Sequence, residues 1–480
     1  MTTKQTILGP FARIEGDLEI RLEGAADRVH AAYVTAPMFR GFEQMLVGRD
    51  PMDALAIAPR VCGICSVSQS MAARNALAQL GQVEAPKNAE LVYNLMQGAE
   101  NLSDLFAHFY LYLMPELVGT AYENRDWWAE AKKRFAPRSG SSWSEALEIR
   151  ALILGMLSSL AGKWPHSLAL LPGGTSKTIS SSERAELLDR LGRVTRFLQK
   201  QTYGGPLEEF LGLQNTTDLE AWAQAHPDSD LGFMILVGLK EGWQNLGRIE
   251  THMLSYGAYP QGQTPAYQAG IYDGSASSLD LDQITEDLAS SWLDGPKQPL
   301  HPAQGVTQLG GERTGKYSYN KAPRYQNQPV SVGPLSRQVI DGQPLAVATH
   351  QAWGQSVFSR VLARWVEVAR LVQMMESWLF DLDPDLPFYN PAQLDLENAQ
   401  AYGLVEAARG SLGHFIEVTD RKISRYQIVA PTSWNFSPRD QTGQPGPCEM
   451  ALEGLPMDRL APDLWLVVRS FDPCMQCTVH

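Results

Sequence analysis

Two Cys-X-X-Cys pairs stand at opposite ends of this chain, Cys62-Gly63-Ile64-Cys65 and Cys474-Met475-Gln476-Cys477. They use four of its five cysteines and lie about four hundred residues apart. If the four thiols meet, the fold must bring its two ends together. Four thiolates suit soft or borderline metals such as zinc, nickel and iron. A structural zinc site is the plainest alternative. Compact zinc folds, however, keep their pairs roughly 12 to 20 residues apart, so that the metal nucleates a small unit. A span of four hundred residues nucleates nothing small, and a chain of 480 residues buries ample core without a metal staple. Disulfide pairing is disfavoured. Few cysteines over this length, and an N-terminus (MTTKQTILGP) without an apolar signal core or twin arginine, read as a reducing, cytoplasmic compartment. Export in complex with a signal-bearing partner stays open.

A net charge of −13 argues against nucleic acid, because phosphate binding needs a basic surface. Nowhere do eighteen uncharged apolar residues follow one another, so no membrane span is expected. Length alone allows one large domain or up to three smaller ones. Residues 18–36 read as a hairpin, with Leu18, Ile20 and Leu22 alternating. Residues 66–80 read as a helix with Ser66 or Ser68 at its N-cap. A long helix is expected over 88–116, where Leu91, Leu95, Leu102, Phe106 and Phe109 fall at helical spacing. Further helices are expected over 144–162, 182–201 and 352–381. The stretch 256–350, rich in Gly, Pro, Ser and Gln, reads as an extended meander. Strands are expected at 414–419, 423–430 and 464–469.

The residues around the cysteines carry a resemblance. Arg60–Cys65 (RVCGIC) and Asp472–His480 (DPCMQCTVH) resemble the two signatures of nickel–iron hydrogenase large (catalytic) subunits. Arg13–Asp17 (RIEGD), Met38–Glu43 (MFRGFE), Glu406–His414 (EAARGSLGH) and Tyr426–Asn435 (YQIVAPTSWN) resemble further blocks of that family. The resemblance implies a mainly α fold, a central bundle of long helices with small peripheral β-sheets, as a single domain over 1–480. It implies that Cys62, Cys65, Cys474 and Cys477 bind nickel, with Cys65 and Cys477 bridging to a low-spin iron that carries CO and CN ligands. The reaction implied is heterolytic cleavage of H2 into a proton and a hydride.

The resemblance also assigns residues whose local reading is plainer. Glu15, otherwise a surface carboxylate at a strand edge, becomes the proton relay beside a nickel thiolate. Arg409 becomes the guanidinium above the open metal edge. Asp104 becomes its buried partner, where a salt bridge with any nearby arginine would also serve. Asp472, otherwise a turn cap, lies just behind the metals. Thr432 would donate to an iron-bound cyanide. Glu43, His480 and the carbonyl of Ile428 would hold Mg2+ or a similar hard cation near the C-terminus. Cys448 has no partner in sequence and reads as a small buried hydrophobe.

Departures from the family pattern are Gln69 and Asp17, where many members have histidine, and Ala408, where the cofactor-side residue is often proline. Gln69 cannot titrate near neutrality as histidine does. Ile64 and Tyr112 stand where many members have valine and leucine. Larger side chains there resemble the oxygen-insensitive, hydrogen-sensing regulatory branch and would narrow gas access. The absence of residues beyond His480 is also expected of that branch. The leading expectation is therefore a cytoplasmic, oxygen-tolerant, low-turnover regulatory H2 sensor. An uptake hydrogenase is the alternative within the class, and a complex I-like non-catalytic subunit or a zinc-stabilised protein outside it. No cysteines remain for iron–sulfur clusters, so an iron–sulfur small subunit is implied, in a heterodimer or a dimer of heterodimers. A sensor also needs a signalling histidine kinase.

Overall fold

The computed structural model of the chain describes residues 4–9, 11, 14–25, 27–262, 264–391 and 397–478. Arg13 and His480 lie outside the described residues. The fold is mainly α with small sheets. Its centre is the helix Lys87–Ala107, buried along almost its whole length. Against it pack Ser141–Ala161 and Val357–Asp381, with Ser66–Leu80 alongside. The central layer is aromatic. Phe109 and Tyr110 meet Trp365 edge-on, and the Tyr203 hydroxyl donates to the Trp365 carbonyl at 2.6 Å. Burying each such ring contributes on the order of 1.5–3 kcal/mol.

Small sheets sit around this bundle. Lys4–Leu8, Glu19–Gly24 and Val29–Thr35 form an antiparallel sheet, the last two strands being the expected hairpin. Asn398–Ala407, Gly410–Thr419 and Lys422–Val429 form a second, which packs on Ser66–Leu80. A third joins Val330–Val332, His252–Gln261, Thr264–Tyr272 and Ala276–Ser277, its first pairing parallel.

Several expectations are corrected. Residues 464–469 are not a strand; they lie inside the helix Leu460–Phe471. A short apolar run such as Leu464–Val468 reads alike in a strand and in a helix buried on several sides. The helix expected over 88–116 is α-helical only to Ala107, then widens into a π turn at His108–Leu113 and tightens to 3-10 at Met114–Val118, which contains Pro115. Likewise the helix expected over 182–201 is Ser181–Phe197 followed by a π turn. The stretch 352–381 divides at Gly354 into Pro344–Trp353 and Val357–Asp381. The supposed meander holds two long strands and the helices Pro334–Ile340 and Pro344–Trp353.

Neither Ser66 nor Ser68 caps the cysteine helix. Cys65 occupies the N-cap position without a side-chain cap. Its free amides are taken by Glu100 of the central helix, which accepts from Val67 N at 2.7 Å and Ser68 N at 2.8 Å. A carboxylate at a helix N-terminus satisfies orphan donors and opposes the helix dipole favourably.

A buried ion cluster fixes the loop that carries Arg409. Arg337 is fully buried and pairs with Glu367 at 2.7 Å and Glu406 at 2.8 Å. It also donates to the carbonyls of Ala407 and Ala408 at 2.8 and 3.2 Å. Removing the cation leaves two carboxylates buried without a counter-charge. Arg337→Met is therefore expected to cost about 3–5 kcal/mol of stability, read as a lower thermal midpoint. An unchanged midpoint would show the cluster to be energetically neutral.

Candidate metal centre

The two cysteine pairs converge. All four Sγ atoms are buried and lie within 4.8 Å of one another. Cys62 and Cys474 are 3.3 Å apart, as are Cys65 and Cys477, and Cys474 and Cys477 are 3.1 Å apart. These separations exclude disulfides, whose sulfurs sit at about 2.05 Å. Cys62 follows the short turn Ala58–Val61, and Cys65 opens the helix Ser66–Leu80. Cys474 and Cys477 flank the start and middle of the terminal turn Met475–Thr478.

Backbone contacts bring the ends together. The Glu15 carbonyl accepts from Met475 N at 2.7 Å and from Gln476 N at 3.3 Å. Gly16 makes this approach possible: its φ is +84°, and a Cβ there would lie 2.9 Å from Gln476 N. Gly63, between the first two cysteines, carries no such demand. Its φ is not positive, and no atom lies within 4 Å of where its Cβ would be. Arg40 ties the two pairs directly. Its Nη2 donates to the Val61 carbonyl and, at 2.7 Å, to the Gln476 carbonyl.

The cluster's electrostatics are uneven. Hydrogen bonds from Cys477, Cys62 and Cys65, helped by the charge of Arg409, hold Cys474 well below the ordinary thiol range. Burial and contact with Cys474 push Cys62 well up, and contact with Cys474 and Cys477, with burial, does the same to Cys65. A closed, buried set of four soft donors with adjoining cations fits a thiophilic transition metal.

Around it stand the other motif residues. Arg409 meets Asp104 at 2.7 Å and the Asp472 carboxylate at 3.2 Å, all three nearly fully buried. Burial opposes the Arg409 charge, but Asp472 and Asp104 outweigh it and hold the guanidinium well above its usual value. Asp104, desolvated but partly offset by Arg409, is pushed up to about 6. Asp472 caps the helix Leu460–Phe471 in the left-handed conformation, φ 59°. Thr432 Oγ1 accepts from Cys474 N at 3.1 Å, leaving its own O–H to donate. Ala408 is buried beside Arg409. Glu15 pairs through its backbone with Cys474, and burial, then the Cys474 charge, raises its carboxyl pKa against the pull of Arg409 and Arg40. Tyr112 lies in the π turn, within reach of the Asp104 and Arg409 charges, and Ile64 packs against the core. Cys448 is buried but stands outside the cluster.

Glu43 lies in a separate polar knot. It accepts from Ile428 N at 2.7 Å, Gln427 Nε2 at 3.2 Å and the Thr307 hydroxyl, and meets Lys321 at 3.4 Å. Lys321 also pairs with Glu286 at 3.2 Å.

Sequence reasoning missed Arg40, Glu100, and the chain Gln69–His414–Tyr426. There Gln69 Oε1 is 2.8 Å from one imidazole nitrogen and the Tyr426 hydroxyl 2.7 Å from the other. Arg40 sits inside the quoted MFRGFE block, and Glu100 falls one helical turn before Asp104, so both had a signal.

Comparison with known proteins agrees with this geometry. The family model for nickel-dependent hydrogenases matches residues 40–115 and 140–480. The large subunit of the periplasmic NiFeSe hydrogenase of Desulfomicrobium baculatum is 30% identical over 512 residues, covering 98% of this chain and 94% of that protein. The uptake hydrogenase large subunit of Afipia carboxidovorans is 26% identical, with 99% and 95% covered. The solved structure of the H2-activated D. baculatum NiFeSe hydrogenase superposes with a TM-score of 0.85 at 28% identity, over 100% of both chains.

Proposed function

This chain belongs to the nickel-dependent hydrogenases as a large subunit of the nickel–iron type, and on that premise we propose which of its residues carry heterolytic cleavage of H2. The observation that carries the reading is the closed cluster of four buried sulfurs. Cys62, Cys65, Cys474 and Cys477 would hold the nickel–iron centre, whose iron would carry CO and CN ligands. Such a centre supplies the redox and Lewis-acid chemistry that separates H2 into a proton and a hydride equivalent. This chain's residues then move the proton and fix the charge.

Glu15 is the proton relay: its half-buried carboxyl lies beside Cys474 and takes up a proton more readily than an exposed carboxylate. Arg409, pinned by Asp104 and Asp472, holds a fixed positive charge facing the sulfurs. The Thr432 hydroxyl and the backbone around Ala408 would face the iron's diatomic ligands. Glu43, the Ile428 carbonyl and His480 would hold Mg2+; the oxygens of Glu43, Glu286 and Gln427 gather there around the Lys321 ammonium, so the hard cation would share them with that charge.

An iron–sulfur small subunit is the proposed partner of this chain as one domain over 1–480. The cysteine count supports it, as do Met38, Met45, Val47 and Met52, each more than a third exposed ahead of the first cysteine pair. No described helix is long and apolar enough to cross a membrane. A cytoplasmic location is the reading proposed for this chain, whereas the D. baculatum relative is named periplasmic. The finer reading, a regulatory H2 sensor signalling to a histidine kinase, rests on the bulk of Ile64 and Tyr112 near the cluster.

Three measurements test these roles. Cys477→Ser is expected to lose nickel, by elemental analysis of the purified heterodimer, while Cys448→Ser retains it; a Cys477→Ser protein with full nickel sinks the assignment. Glu15→Gln is expected to load nickel normally and lose hydrogen–deuterium exchange with solvent by about 10²- to 10⁴-fold; unchanged exchange removes Glu15 from the proton path. The double variant Ile64→Val, Tyr112→Leu is expected to become oxygen-sensitive while turnover holds or rises, since voids are scarce in a packed interior. Rapid inactivation of the parent protein in air would favour the uptake hydrogenase reading instead.

A further inference from the structure

Two buried arginines, Arg360 and Arg364, stand one turn apart on the helix Val357–Asp381. Neither forms an ion pair among the described residues, although a guanidinium taken out of water normally faces a carboxylate. Burial pulls both down from the ordinary guanidinium range, Arg360 to about 9 and Arg364 to about 10. At Arg364 the charge that most opposes this fall is that of Asp472.

What the two arginines hold is the last turn of Leu460–Phe471, the helix that leads into the second cysteine pair. Arg360 Nε donates to the Ser470 hydroxyl at 2.9 Å, and its guanidinium carbon lies 4.0 Å from the centroid of the Phe471 ring. Arg364 Nη1 donates to the Ser470 carbonyl at 2.8 Å, while its Nε is buried without an acceptor. His108, in the π turn, donates from Nε2 to the Arg469 carbonyl at 2.7 Å, which also accepts from Asp472 N at 2.9 Å. Arg469, Ser470 and Phe471 are thus each gripped by a side chain of the central bundle. The helix then ends in Asp472, whose left-handed φ of 59° turns the chain toward Cys474.

Carbonyls at a helix C-terminus carry partial negative charge and favour a cation, but an exposed lysine or arginine serves there without being desolvated. Here the cation is enclosed, and two residues beyond the carbonyl it holds is the carboxylate that meets Arg409 at 3.2 Å. From these contacts we propose that Arg364 is a positioning residue for hydrogen cleavage. It fixes the turn from which Asp472 reaches Arg409, and it adds a second buried positive charge on that side of the cluster. Arg360 grips the same serine by its hydroxyl and holds the turn with it. The proposal rests on the reading of the four cysteines as the nickel–iron site.

The test compares the purified heterodimer with its Arg364→Gln and Arg364→Lys variants in two readouts. The first is amide hydrogen exchange followed by mass spectrometry, which needs no turnover. In Arg364→Gln, residues 470–477 are expected to exchange about tenfold to a hundredfold faster, the range of a hydrogen bond to a charged group, while Lys87–Ala107 keeps the parent rate. The second is the infrared spectrum of iron-bound CO and CN. Loss of a nearby positive charge is expected to move these bands to lower wavenumber in Arg364→Gln. Arg364→Lys keeps the charge and loses the planar fork, so it is expected to keep the parent bands and exchange at an intermediate rate. A parent heterodimer without such bands sinks the nickel–iron reading, and the proposal with it. Parent bands that stay unmoved in nickel-loaded Arg364→Gln protein, or unchanged exchange over 470–477, overturn the proposal alone. If Arg364→Gln does not assemble, Arg364→Lys decides: faster exchange over 470–477 supports the proposal and the parent rate overturns it.

Discussion

Everything at the metal centre depends on one backbone contact, the Glu15 carbonyl accepting from the amides of Met475 and Gln476. It joins the first strands of the chain to its last turn. Arg40 repeats the join from a side chain, bridging the carbonyls of Val61 and Gln476. Gly16 is the steric condition for both, since any side chain there would strike the Gln476 amide. Four thiols cannot be held within 4.8 Å by flexible ends. Main-chain hydrogen bonds, which have little freedom to relax, set that distance.

Buried charge is the second organising element. Glu100 caps the cysteine helix, Arg409 holds two aspartates, and Arg337 holds two glutamates while bonding the carbonyls just before Arg409. Desolvation makes each group costly alone, as the rise of Glu100 to about 7 and Asp104 to about 6 records. Each is affordable only because rigid helices supply several partners at once. The same partners fix where the cations stand relative to the sulfurs. Stability and site geometry are therefore secured by the same residues.

The cysteine pairs were legible because two such pairs so far apart are unusual, whereas Glu15, Arg409, Asp104 and Asp472 were singled out only through the resemblance of their motifs. The helix Ser66–Leu80 and the hairpin were legible from period and turn residues. The segment Leu460–Phe471 was not, because helices packed on several sides lose the alternation that marks one wet face. Nor was the true cap of the cysteine helix: Ser66 and Ser68 look like local caps, and Glu100 wins because tertiary packing delivers a carboxylate to the same amides.

By itself, the sequence supplied the candidate donors: four thiols in two pairs, and, through the resemblance its motifs carry, the carboxylates and guanidinium expected around them. Tertiary structure alone decided how they meet, through Arg40 and Gly16. It alone set Arg360 and Arg364 against the turn before Asp472. The division has a physical cause. A residue's chemistry is local, whereas burial, hydrogen-bond partners and electrostatic field are sums over neighbours that only the folded chain assembles.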